Sequence, residues 1–133
     1  MTPPPEAQDE EDETSMRWFL FGLSGRISRV PFVLATLLQT AVLGISVSRL
    51  TQLPEDSSAF GLWALVFLIS MAASIWVTIA TAIKRLHDIN IPGAVVLCLF
   101  VPAVSIIAFL VLCFWPGTNG PNDYGDDDNR PKT

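Results

Sequence analysis

Uncharged hydrophobic residues fall into three long stretches that short polar segments separate. The clearest stretch runs over residues 60–83, without a charged side chain, and ends at Lys84-Arg85. A helix of that length is about 36 Å long at 1.5 Å of rise per residue, enough to cross a hydrocarbon core of about 30 Å. The pattern therefore predicts a membrane-spanning helix over residues 60–83.

Two further stretches flank this central one. The first, over residues 31–50, begins with proline, which is acceptable in a first helical turn. The third, over residues 91–115, has Pro102 near its middle. We expect it to cross the membrane once with a kink at Pro102; the alternative is a re-entrant hairpin of two half-length helices turning near Pro102 to Ser105. The predicted fold is all-α: an integral membrane bundle of three transmembrane helices.

Small side chains recur at every fourth position in the first two predicted spans. In lipid the hydrophobic effect does not drive helices together, so close approach along small residues must do so. We expect the two spans to pack through these rows, with Gln39 hydrogen-bonding between the helices. The rows are Thr36, Thr40, Gly44 and Ser48 in the first span, and Ser70, Ser74, Thr78 and Ala82 in the second.

Polar segments surround this membrane domain, which we assign to residues 15–125. Residues 1–14 combine three prolines with an acidic run and are expected to be a disordered tail, as is the acidic end over residues 126–133. Residues 15–30 mix aromatic side chains with arginines and are expected to lie along the membrane surface.

Composition supports a membrane location and excludes several classes of function. With 50% hydrophobic and 16% charged residues, a chain of 133 residues is too apolar to hide its hydrophobic surface in one soluble core. The net charge of −5 arises in the acidic tails and argues against a nucleic-acid partner. Cys98 and Cys113 match no zinc-ligand spacing, and the three aspartates at 126–128 lack the EF-hand pattern. We therefore expect no metal and no cofactor.

The distribution of basic residues predicts the orientation. Three arginines precede the first span and Lys84-Arg85 follow the second, whereas Arg49 alone lies by the intervening turn. Because cytoplasmic segments carry the excess of basic residues, the N-terminus and the loop predicted at residues 84–93 are expected in the cytoplasm.

Three polar motifs, taken in order, resemble a known family. They are the Gly-Arg-x-Ser-Arg segment of residues 25–29, the Arg-Leu-His-Asp segment of residues 85–88, and the Gly-Thr-Asn-Gly-Pro-Asn-Asp-Tyr-Gly segment of residues 117–125. Together they resemble the domain of unknown function 805 family of small bacterial inner-membrane proteins. The chain departs from the family where Pro92-Gly93-Ala94-Val95 replaces the usual Ser-Gly-Trp-Trp, and where Asp126-Asp127 replaces Asp-Pro. The resemblance implies a bacterial inner-membrane location and supplies no catalytic residues.

The motif residues form the candidate site. We expect a polar cluster at the cytoplasmic boundary that binds membrane lipids, other membrane proteins or further copies of the chain. Its members are Arg26, Arg29, Arg85, His87, Asp88, Asn122 and Tyr124. Arg85 is placed to pair with Asp88 or to hold a lipid phosphate. The alternatives are a subunit of an oligomeric channel or carrier, with Gln39 on its path, and, remotely, a membrane enzyme using His87 and Asp88. Adjacent helical residues point about 100° apart and do not orient each other, so we expect no enzyme.

Overall fold

The computed structural model describes residue 4, residues 16–126 and residue 129. Helix α1 covers the described residues 16–21. It is followed by α2 (Arg29–Gln52), α3 (Ser58–Asp88), a 3-10 helix (Gly93–Phe100) and α4 (Pro102–Phe114). Over this part of the chain there is no strand; the isolated bridges include one between Asn122 and Gly125. The all-α prediction is confirmed.

Among the described residues, helices α2 and α3 are the two that are long and apolar enough to cross a membrane. They contain 24 and 31 residues, which corresponds to about 36 and 46 Å. Their most apolar windows are 11% and 0% buried, so these surfaces are not covered by the rest of the chain. A soluble core helix would be mostly buried, whereas here the apolar side chains face outward.

Helix α3 is longer than predicted because residues 84–88 continue it, although we expected a loop there. We expected the charged residues to end the helix at the membrane boundary. Instead, all five residues from 84 to 88 are buried against other parts of the chain. The helix ends at Asp88, and Asn90, two residues further on, adopts a φ of 62°. The amides of Asn90 and Ile91 donate to the carbonyls of His87 and Leu86, which closes the helix in a Schellman motif.

The third apolar stretch forms a hairpin, so the expected single helix over residues 91–115 is wrong. The 3-10 helix leaves the end of α3, and α4 packs against it and returns to the same end. Both ends of the stretch lie beside the last turns of α3: a Cβ on Gly93 would lie 3.1 Å from Nε2 of His87, and Nε of Arg85 donates to the carbonyl of Leu112 (2.7 Å). The hairpin, which the sequence offered as the alternative to a single span, is therefore the observed geometry.

The position of Pro102 explains the hairpin. Inside a continuous helix its ring would remove a hydrogen bond and clash with the preceding turn. Here Pro102 is the first residue of α4, where its missing N–H is not needed. Val101, which precedes it, is extended, as the residue before a proline prefers to be, and this breaks the helix.

Helix α2 does not pack against α3 along its predicted small-residue row. Thr40, Gly44 and Ser48 are exposed, and a Cβ added to Gly44 would meet nothing within 4 Å. A strict four-residue row drifts about 40° around a helix at each step, so it leaves the partner helix after one or two turns. The less exposed positions instead alternate by three and four residues: Thr36, Gln39, Leu43, Ser46 and Leu50.

The opposite row on α3 does face the neighbouring helices. Ser70 and Ser74 line a groove between α2 and α3, and Thr78 donates to Oε1 of Gln39 (3.1 Å). This is the interhelical hydrogen bond that the sequence predicts for Gln39. Ala82, at the end of the row, is fully buried.

The buried core lies at one end of the molecule, where α2 begins and α3 ends. Its apolar members are Ile27, Phe32, Ala82, Leu86, Val96 and Leu112. Phe32 of α2 also meets Phe109 of α4, with ring centroids 5.8 Å apart. The predicted disordered tails lie outside the described residues, apart from Pro4, Asp126 and Asn129.

Candidate functional site

A buried polar cluster occupies the same end of the molecule. We use the term polar cluster for Arg26, Lys84, Arg85, His87 and Asp88. Their exposed fractions range from 0% for Lys84 and Arg85 to 9% for His87. A buried charge must be paired and hydrogen-bonded to be tolerated, so the partners of these side chains define what the cluster does.

The carboxylate of Asp88 joins two arginines, one at each oxygen. Nε and Nη2 of Arg26 lie 3.1 and 3.0 Å from Oδ1, and Nη1 of Arg85 donates to Oδ2 at 2.6 Å. Arg85 lies one helical turn before Asp88, whereas Arg26 comes from the segment between α1 and α2. The carboxylate therefore links this segment to the end of α3.

Arg85 also caps the C-terminal end of α4. Its Nε donates to the carbonyl of Leu112 (2.7 Å), and its Nη2 donates to the carbonyl of Trp115. The last carbonyls of a helix have no partner within the helix and carry the negative end of its dipole. A guanidinium is therefore well suited to this position, and it holds the returning arm of the hairpin against α3.

Lys84 performs the same task for α1. Its Nζ donates to the carbonyls of Trp18 (2.8 Å) and Phe19, which belong to the last turn of α1. The ammonium also lies over the rings of these two residues, 4.8 and 5.2 Å from their centroids. Neighbouring residues on a helix point about 100° apart, so Lys84 and Arg85 cap two different short helices.

Arg26 binds the carbonyls of the C-terminal tail. Its Nη2 donates to Thr118 (2.7 Å), and its Nη1 donates to Gly120 (2.7 Å) and Gly125 (3.2 Å). The tail backbone curves around the guanidinium, and Gly120 at the bend has a φ of 83°, a conformation that favours glycine. The backbone amide of Asn129 donates to the carbonyl of Arg26 (2.7 Å), so the tail and this segment bind each other from both sides.

Gly117 makes the closest backbone approach to the cluster. A Cβ at this position would overlap Oδ2 of Asp88. The next residue, Thr118, donates its backbone amide to the carbonyl of Asp88 (2.7 Å). The tail thus reaches the end of α3 only because residue 117 has no side chain.

His87 forms the outer part of the cluster with two residues of the tail. Its ring stacks on that of Tyr124, with centroids 4.1 Å apart and planes within 3° of each other. Its Nδ1 lies 3.0 Å from the carbonyl of Gly25, which fixes the ring edge-on to the segment before α2. Nδ2 of Asn122 donates to the backbone carbonyl of His87 (2.9 Å), and Oδ1 of Asn122 accepts from the amide of Tyr124 (2.9 Å).

The structure brings six of the seven predicted site residues together. Arg29 is the exception: it is the first residue of α2 and is exposed. The expected grip of Arg85 on a lipid phosphate is also corrected, because this guanidinium is fully buried and bound to Asp88 and the end of α4. Of the three arginines predicted for the site, Arg29 is the exposed one.

Sequence reasoning missed Lys84 and Gly117 as members of this site. Lys84 fits a basic residue that ends a membrane span, and Gly117 fits an ordinary turn. The recurrence of glycine at 117, 120 and 125 was the available signal, because glycine also permits a close backbone approach.

The cluster is closed rather than open to a ligand. Within the described residues, no buried side-chain nitrogen or oxygen lacks a hydrogen-bond partner, and no group of three metal-ligating side chains occurs. Both oxygens of Asp88 are bound by arginines, and Nδ1 of His87 faces a carbonyl. The arrangement is that of a structural joint between five chain segments: α1, the segment before α2, the end of α3, the end of α4 and the tail.

The fold and the cluster define an all-helical chain with two exposed apolar helices joined to a short helical hairpin by a buried ionic network. The chain belongs to the family described as "Protein of unknown function (DUF805)", whose model matches residues 20–126. Its relatives include the inner membrane protein YhaI of Escherichia coli strain K12 and its counterpart in E. coli O157:H7. Each is 33% identical over 123 residues, which is 84% of this chain and 95% of the relative. No solved structure matches the chain.

Proposed function

We propose that the protein is an integral inner-membrane protein in which α2 and α3 cross the bilayer and the hairpin enters and leaves on one side. The hairpin arms contain 8 and 13 residues, about 16 and 20 Å, which is less than the roughly 30 Å of a hydrocarbon core. This arrangement replaces the three full spans that the sequence predicts. It is supported by the return of α4 to Arg85 and of the tail to Arg26.

The polar cluster is proposed to lie at the cytoplasmic boundary. Arg26, Lys84 and Arg85 lie at this end of the molecule, together with exposed Arg17 and Arg29. At the other end the arginine of α2 is Arg49, which lies over the ring of Trp63, 5.7 Å from its centroid. The excess of basic residues favours the cytoplasm for the cluster end, and with it for the N-terminus and the tail.

At this boundary the protein is proposed to act as an interaction component that binds other membrane proteins, further copies of itself or lipids. The observation that carries this proposal is the network of Arg26, which binds Asp88 and three tail carbonyls at once. It holds the tail as a fixed surface outside the membrane helices, where Asn119, Gly120 and Pro121 are exposed. The buried network holds the tail in a defined conformation, and the exposed residues of the tail form the contact with the binding partner.

The alternative of a channel or carrier subunit has less support. It requires a polar path at mid-membrane, and Gln39 was the candidate for that path. Its Nε2 donates to the carbonyl of Ala35 (3.2 Å) and its Oε1 accepts from Thr78 (3.1 Å), so the amide joins helices. A catalytic role for His87 and Asp88 has no open reaction site to support it, and we propose none.

Topology is tested by labelling single cysteines with a membrane-impermeant maleimide, in a chain whose Cys98 and Cys113 are replaced. Asn119→Cys is exposed in the tail, and Ser58→Cys is exposed at the turn between α2 and α3. In intact spheroplasts we expect Ser58→Cys to react and Asn119→Cys to react only after permeabilisation. Labelling of Asn119→Cys in intact spheroplasts would refute the proposed hairpin orientation.

The interaction role is tested by placing a photo-crosslinking amino acid at Asn119 or Pro121 in cells. We expect adducts of defined mass at these positions and none at Ser58, which lies at the other end of the helices. In the Arg26→Gln background the tail loses its anchor, so the adducts should disappear while the protein remains in the membrane. Absence of adducts at both tail positions in the unmodified background would contradict an interaction role for this surface.

A further inference from the structure

An open groove of about 870 Å³ runs between α1, α2 and α3 on one side of the molecule. We call it the lateral groove. Its walls are α1 at Met16 to Leu20, α2 between Pro31 and Val42, and α3 between Ser70 and Val77. The volume is within the range of ligand sites, and the lining is apolar apart from Gln39, two serines of α3 and Asn129 at one end.

We propose that the lateral groove binds one phospholipid of the cytoplasmic leaflet, with an acyl chain in the groove and the phosphate at Arg17 and Arg29. This inference rests on the proposed membrane orientation and adds a ligand to it. The occupant follows from three features of the groove: its length, its charge at one end, and the fixed position of its α1 wall.

The length of the groove matches one leaflet. From Pro31 to Val42 the α2 wall is about 16 Å long at 1.5 Å per residue. Half of a hydrocarbon core of about 30 Å is about 15 Å. The groove therefore begins at the interfacial helix α1 and ends near the middle of the bilayer, which is the depth that one acyl chain occupies.

Two exposed arginines, which are not themselves lining residues, adjoin the lining in sequence where α1 and the start of α2 form the groove. Arg17 is exposed on α1 between Met16 and Trp18, which both line the groove. Arg29 is exposed two residues before Pro31, where the α2 wall begins. Guanidinium groups bind phosphate oxygens with two parallel hydrogen bonds, and aromatic residues such as Trp18 favour the same headgroup layer.

The α1 wall is held in place by the polar cluster. Lys84 binds the carbonyls of Trp18 and Phe19 from within α3, so α1 cannot move over the groove without breaking these bonds. The groove is therefore preformed, which lowers the entropy lost when a flexible acyl chain binds.

The test uses the full chain reconstituted in phosphatidylethanolamine and phosphatidylglycerol vesicles that contain a phospholipid with a diazirine on its acyl chain. After illumination, the labelled positions are located by peptide mass spectrometry. We expect the label to be several-fold denser on the groove walls, within residues 31–42 and 70–77, than on the opposite, lipid-facing side of α2. Because this measurement uses the unmodified chain, it does not depend on whether a variant folds.

Two neighbouring alanines provide a matched pair of variants. Ala73 lines the groove and Ala72 does not, although both are exposed on α3 at nearly the same depth. Ala73→Trp fills the groove and should lower lipid labelling of the groove walls about tenfold. This corresponds to a loss of about 1.4 kcal/mol in binding free energy. Ala72→Trp should leave it unchanged. Equal labelling in the two variants would overturn the proposal.

The headgroup site is tested with Arg17→Gln and Arg29→Gln, using Arg49→Gln at the other end of α2 as the control. Each loss of an interfacial basic residue should weaken labelling of the groove about fivefold, equivalent to ~1 kcal/mol, and less so at high salt. Unchanged labelling in the double variant would overturn the assignment of the phosphate to these arginines.

Three results separate failure of this proposal from failure of the membrane orientation. Even label around α2 and α3 in a chain with the expected topology would overturn the groove proposal alone. Photo-crosslinking between Leu38 positions of two copies, with lipid label absent from the groove, would assign the groove to a second copy instead. Absence of lipid label from both helices would contradict the membrane proposal on which the groove depends.

Discussion

Replacing Asp88 by asparagine tests the ionic network with little change in shape. The carboxylate is 2% exposed and is the acidic partner in both salt bridges of the described chain, one to Arg26 and one to Arg85. Asparagine keeps one carbonyl oxygen but turns an NH₂ donor toward a guanidinium, which is itself a donor. Two buried cations would then face each other without an anion between them.

The expected loss of stability is large. Removing one partner of a buried ion pair destabilises a protein by about 3–5 kcal/mol, because the remaining charge stays buried without compensation. Folded domains have a free energy of unfolding of about 5–15 kcal/mol, so this change removes a substantial fraction of it. At about 3–4 °C per kcal/mol for a chain of this size, the melting temperature should fall by ~10 °C or more.

The assay is thermal unfolding of the purified chain in lipid nanodiscs, followed by circular dichroism and by protease cleavage of the tail. Asp56→Asn is the control, because Asp56 is exposed in the turn between α2 and α3 and should shift stability by no more than about 0.5 kcal/mol. In Asp88→Asn the tail should become cleavable before the helices unfold, since Arg26 loses its carboxylate partner. A melting temperature within the range of the control would refute the assignment of Asp88 as the joint.

Two further substitutions probe contacts at single atoms. Gly117→Ala places a methyl group onto the carboxylate that both arginines bind and should lower the free energy of unfolding by about 1–3 kcal/mol. Gly44→Ala, in open space within a helix, is the control and should be neutral or stabilise by up to about 1 kcal/mol in the same thermal melt. Equal effects of the two substitutions would contradict the close approach at Gly117. Thr78→Val removes the interhelical hydrogen bond to Gln39 and should lower the free energy of unfolding by about 0.6 kcal/mol in lipid. Thr40→Val should have a smaller effect, because the hydroxyl of Thr40 donates within its own helix. The reverse order in nanodisc melts would contradict this pairing of α2 with α3.

The two long helices could be predicted from sequence because their signal is local. An uncharged apolar run, over residues 31–48 in the first helix and 60–83 in the second, is long enough to predict both the helix and its exposed apolar surface. The end of α3 could not be predicted in this way. Lys84 to Asp88 resemble a polar loop in isolation, and their burial depends on carbonyls of α1 and α4 and on the backbone amide of Thr118 in the tail, which come from distant parts of the sequence.

Local sequence patterns did not distinguish a hairpin from a single span, for a different reason. Residues 91–115 have the length and apolarity of one span, and Pro102 is compatible with a kinked helix or with the start of a new one. The contact that distinguishes them joins Arg85 to the carbonyls of Leu112 and Trp115. Helix length gives no information about such a contact, so only the assembled structure resolves it.

The packing of α2 shows how spacing alone misleads. Small residues at every fourth position have the composition of a membrane helix interface, but the contacts alternate by three and four residues, which keeps them on one side of the helix. Gly44 and Ser48 have rotated away by the second and third steps of the row. The row with the same spacing on α3 does face its neighbours, so the spacing of small residues alone does not predict which row forms a contact.

The motifs that resemble the family correspond to contacts of a single network. Arg26 from the first motif, Arg85 and Asp88 from the second, and Gly117 from the third all meet at one carboxylate. The departures lie elsewhere: Ala94 and Val95 are exposed on the 3-10 helix, and Asp126 is exposed in the tail. Substitution at these exposed positions leaves the ionic joint intact, whereas Arg26, Arg85 and Gly117 each lie against the carboxylate of Asp88. The three motifs are therefore best understood as one structural requirement, that of returning the hairpin and the tail to the end of α3.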